Sequence, residues 1–94
     1  MPYIQSENRA SLEPHLSILV SLLKDDDSVP QRAKAGTLNY IISALLNALW
    51  HNDIKYDTAN SLVGALECAK LEFYRRIIEN YEEEAIKRNG DVYV

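Results

Sequence analysis

The run GALECAKLEFYRRIIENYEEEAIKRNG, Gly64 to Gly90, decides the fold class. Between its end glycines it holds neither glycine nor proline, and its apolar residues recur three and four positions apart. That spacing belongs to a helix, not to the two-residue alternation of a strand. Asn89-Gly90 is a stop signal, because glycine accepts the left-handed conformation that closes a helix. Upstream, Asp57 offers a capping carboxylate for the start. The expected helix, 57–88, would be about 48 Å long. That exceeds the diameter of a compact domain of this size, so it either bends near Asn80 or projects and packs on a second chain.

Working outward, Leu12, Leu16, Leu19 and Leu23 form a stripe that predicts a helix over 13–24, with Pro14 tolerable in its first turn. Leu38, Ile42, Leu45, Leu46 and Leu49 predict another over 36–51. Between them, residues 24–35 read as a charged connector. Its aspartates, Asp25 to Asp27, fit a solvated loop and lack the ligand spacing of a calcium site. Residues 89–94 form a polar tail. The chain is therefore expected to be one all-α domain, 1–94, a small bundle of three main helices. Ninety-four residues bury only a small core, so the bundle is expected to be completed by oligomerisation.

Composition excludes several function classes. The net charge is −4 without a dense basic patch, which argues against nucleic-acid binding. Cys68 is the only cysteine, so there is no internal disulfide and no thiolate cluster for zinc. MPYIQSENR lacks the pattern of a signal peptide, and the longest apolar segment is interrupted by Asn39, Ser43 and Asn47. No membrane association and a cytoplasmic location are expected. His15 and His51 have no metal-binding spacing, no two carboxylates are singled out for acid–base work, and no glycine-rich phosphate loop occurs. No metal, no cofactor and no enzymatic activity are expected; a nucleotide hydrolase is a minor third reading.

Two helix faces carry polar groups where apolar or charged residues would be ordinary. From Ala35 to Asn52 there is no formal charge, and one side carries Asn39, Tyr40, Ser43 and Asn47. Amides and a phenol on a helix surface point to partial burial against a ligand or subunit. On the long helix, Leu62, Leu66, Ala69, Phe73 and Ile77 form a central stripe, extended past half the circumference by Val63, Leu71, Tyr74, Ile78 and Tyr81. Glu67 and Lys70 interrupt that arc and are spaced to pair with each other. Gly64 lies one turn before Glu67, at a cost of about 1 kcal/mol relative to alanine, and marks a close helix crossing or ligand approach. Arg75 and Arg76 point about 100° apart on a regular helix and are expected to converge only with help from another chain. Tyr74 offers a ring for stacking and the arginines offer guanidiniums for phosphates.

The segments MPYI, GTLNY, GALECAKLEFYRR and YEEEAIKRNGDVY resemble a family of small proteins from bacteria and their phages, a domain of unknown function. The resemblance covers most of the chain except the connector and implies no activity. That family often has a proline where Asn80 stands, which weakens the case for a sharp kink here. By analogy of size and pocket chemistry with phage sponges, the leading expectation is a non-catalytic homo-oligomer binding a small anionic, nucleotide-like ligand. A cyclic nucleotide or ADP-ribose derivative acting as an immune signal would be withheld at a subunit interface in the host cytoplasm. Asn39 and Tyr40 would contact base or ribose, Lys70, Arg75 and Arg76 the phosphates, and Tyr74 would stack, with Glu67 beside Lys70. The alternative is a structural or protein-interaction module with no small ligand.

Overall fold

The chain is described from a computed structural model, which places residues 4–25 and 34–93. Every regular element among the described residues is helical. A short 3-10 turn, Ser6–Asn8, precedes α1 (Glu13–Asp25) and α2 (Lys34–Asn52). Then come α3 (Tyr56–Phe73), a π turn (Tyr74–Ile78) and α4 (Glu79–Asn89). The three expected helices are thus present, the third interrupted by a change of pitch. Most of the expected charged connector, residues 26–33, lies outside the described residues, as do 1–3 and 94.

The chain divides between Lys55 and Tyr56 into two units. In the first, Pro14 is the second residue of α1, where no intrahelical bond needs its missing N–H. The Leu16 N–H donates to the Leu12 carbonyl (2.9 Å), so helical pairing is established at once. Lys34 Nζ, at the start of α2, donates to the Lys24 carbonyl at the end of α1 (3.2 Å). A cation there neutralises the negative end of the α1 dipole. α2 finishes with His51 Nδ1 against the Asn47 carbonyl (2.9 Å).

The second unit is one helical run from Tyr56 to Asn89, about 50 Å of helix. Its backbone stays right-handed through the pitch change, with Ile78 at φ −70, ψ −41 and Glu79 at φ −59, ψ −42. The π turn is closed by the Glu79 N–H donating five residues back, to the Tyr74 carbonyl. Asn80 lies within α4, and its Nδ2 donates to the Arg76 carbonyl (3.0 Å), patching a helix whose ordinary pairing has shifted. The irregularity therefore sits one turn before Asn80 rather than at it.

This turn re-phases the apolar stripe. A π turn holds one residue more than an α turn, so everything after it is set back by about 100°. On a regular helix Asn80 would fall in line with Leu62, and Tyr81 about 100° away. With the π turn Asn80 leaves the stripe and Tyr81 enters it, in line with Leu66 and Phe73. Gly90 ends the run at φ 85, its N–H donating to the Ile86 carbonyl (2.8 Å). Beyond it, the Tyr93 N–H is held by Asp91 Oδ1 (2.9 Å).

Among the described residues none is buried. Val63, Leu66, Leu71, Phe73, Tyr74, Ile77 and Tyr81 are between 43% and 67% exposed. The stripe that a bundle would enclose is left facing outward. No described helix is long and apolar enough to cross a membrane.

Candidate functional site

The polar groups on the long helix gather into two charge clusters. In the first, Lys70 Nζ lies 3.3 Å from Glu67 Oε1, the pairing expected from their spacing. Both side chains are more than half exposed, which limits such a pair to a few tenths of a kcal/mol.

The second cluster departs from expectation. Arg75 Nη2 reaches both oxygens of Glu72, at 3.1 Å each, and Arg76 Nε reaches Oε1 at 3.3 Å. The two guanidiniums converge within one chain. Neighbouring residues diverge, but positions three and four after Glu72 straddle it, and arginine stems are long enough to close the gap. Glu72 is the more enclosed partner, its side chain 24% exposed against 64% for Arg75 and 61% for Arg76. One carboxylate is thereby bracketed by two cations, leaving the trio with a net charge of about +1. Tyr74 precedes them at the head of the same π turn, 52% exposed.

On α2, Asn39 Oδ1 accepts from Ser43 Oγ (3.2 Å), and Tyr40 is 73% exposed. The same side carries two separate ties, Ser43 to Asn39 and His51 to the Asn47 carbonyl. Asn39, Tyr40, Ser43 and Asn47 are all exposed, so the burial their chemistry implies is not supplied by the chain itself. Asn39 and Tyr40 belong to the first unit, and Glu67, Lys70, Tyr74, Arg75 and Arg76 to the second.

Sequence reasoning missed the π turn and the patching role of Asn80. One signal was present: Phe73, Ile77, Tyr81 and Ala85 repeat at a strict spacing of four, which drifts about 40° per step on a regular helix. An extra residue in one turn cancels that drift. The remaining chemistry is sparse. Cys68 is a free, exposed thiol, and among the described residues no three His, Cys, Asp or Glu side chains group as metal ligands.

A family model described as a domain of unknown function, DUF6899, matches residues 1–92. No curated protein and no solved structure matches the chain.

Proposed function

The chain belongs to the DUF6899 family, and we propose, from its own residues, that it is a non-catalytic protein that self-assembles and holds a small anionic, nucleotide-like ligand. The observation that carries this reading is the convergence of Arg75 and Arg76 on a single carboxylate, within a π turn that the exposed Tyr74 heads. A guanidinium pair that brackets a carboxylate has the geometry to bracket a phosphate. Tyr74 supplies the flat apolar surface a base needs. Lys70, paired with Glu67, is a further cation of the same helix, on another of its sides.

Assembly follows from the uncovered stripe. A large apolar side chain offers about 200 Å², so seven such residues at roughly half exposure present on the order of 700 Å². A standard interface takes about 800 Å² from each partner. Because the arc runs past half the circumference, an assembly would have to cover the long helix on two sides. In this reading the ligand is withheld rather than converted, as a phage sponge withholds a nucleotide immune signal.

Thermal-shift measurements with cyclic dinucleotides and ADP-ribose derivatives test the reading, followed by recovery of the ligand after denaturation. A ligand at one hundred times its Kd stabilises by about 2.7 kcal/mol, which raises Tm by roughly 10–20 °C for a domain of this length. A shift with the nucleotide returned intact supports sequestration. A nucleotide returned altered makes the protein an enzyme, and no shift with any of them removes the ligand.

The second reading is an assembly or protein-interaction module with no small ligand. It is favoured by the fact that Lys70, Arg75 and Arg76 each already hold a carboxylate.

A further inference from the structure

A helix left to itself winds as α turns, and a π turn is an insertion that something has to hold. In Tyr74–Ile78 that something is not a packed core. None of the described residues is buried, and Phe73, Tyr74 and Ile77 are 57%, 52% and 55% exposed. Local pairing holds the turn instead. The Glu79 N–H donates to the Tyr74 carbonyl, which defines the π turn. Asn80 Nδ2 donates to the Arg76 carbonyl at 3.0 Å, a bond that only a side chain with an amide supplies here.

The covalent chain permits a second setting. With the Ile78 N–H donating to the Tyr74 carbonyl instead, the turn becomes an ordinary α turn. No residue has to leave the helix, and α4 advances about 100° around the axis relative to α3. The two settings bring different residues into line with Leu62 and Leu66. The present one brings in Tyr81 and Ala85, and the other brings in Asn80 and Glu84. Covering the stripe in the second setting would bury an amide and a carboxylate, which is costly. With the stripe in water that penalty is absent, and the Asn80 bond decides.

We propose that Tyr74–Ile78 is a register joint with two settings, and that Asn80 is the lock that holds the present one. Turning the joint exchanges Tyr81 and Ala85 for Asn80 and Glu84, so it decides whether α4 carries the apolar stripe onward. Whatever covers Tyr81 selects the π setting, because it binds one setting better than the other. Neither a ligand nor a second copy is required.

Hydrogen-bond scalar couplings in the isotope-labelled full chain test the joint, since they report which N–H the Tyr74 carbonyl accepts. Wild type should show Glu79 as the donor. Asn80→Ala removes the lock and should move the ratio of settings toward Ile78 by roughly two- to tenfold, the worth of one such bond. Asn80→Leu also places an apolar residue on the stripe in the α setting, so it should move the ratio further. Far-UV circular dichroism should show helicity kept in both, because alanine and leucine favour helix more than asparagine does. Ile78 as the donor in wild type, or the wild-type ratio in both variants, overturns the joint. Loss of helicity in both overturns it too, because Asn80 would then hold the helix itself and not its register.

Discussion

Phe73→Ala is the perturbation whose size the structure fixes best. Phe73 is 57% exposed in the chain alone. Taking about 200 Å² for the full ring, some 90 Å² is covered within the chain and about 110 Å² is left for an assembly to cover. At about 25 cal/mol per Å², the first part corresponds to about 2 kcal/mol of subunit stability and the second to about 3 kcal/mol of association per copy. These are upper values, because alanine keeps some surface and unfolded chains bury some of theirs. The variant should lose both: a lower Tm at all concentrations, and a self-association constant reduced by roughly a hundredfold per copy. Sedimentation velocity combined with denaturant unfolding at several protein concentrations separates the two. If Phe73→Ala lowers stability by only the smaller amount and assembles as tightly as wild type, Phe73 is not in the contact and the stripe is no interface.

Three further outcomes follow from the geometry. Glu72→Gln removes the carboxylate that both arginines hold, so stability should fall by under about 1 kcal/mol in urea, while affinity for nucleotide anions rises because Arg75 and Arg76 no longer hold a carboxylate; equal affinity in a binding titration would separate them from the ligand. Gly90→Ala forces a side chain into φ 85 and should cost about 1 kcal/mol, read as a lower urea midpoint with unchanged slope. Asn80→Ala removes the donor to the Arg76 carbonyl and should cost about 0.5–1.5 kcal/mol, with faster amide exchange confined to the π turn and the start of α4.

The helical class was legible because its signals are local. Leu12 to Leu23, Leu38 to Leu49 and the glycine-free run from Ala65 to Asn89 each repeat at a spacing no strand accommodates. The stop at Gly90 was legible for the same reason, and its φ of 85 is the conformation that residue type permits. The π turn was not legible to an analysis that advances 100° per residue, since that assumption is what the turn violates. It set Tyr81 on the flank of the stripe rather than within it. The convergence of Arg75 and Arg76 escaped because a wheel records directions of Cβ and not the reach of long side chains. Glu67 and Lys70 were read correctly as a pair, since three-residue spacing alone brings them within reach.

Native mass spectrometry of the wild-type protein, with and without added cyclic dinucleotide or ADP-ribose, tests the central claim most directly. It reads copy number and bound mass together. The expected species is a multiple of the 10.7 kDa chain that carries the nucleotide at its unaltered mass. A folded 10.7 kDa monomer that takes up none of these nucleotides would contradict the account.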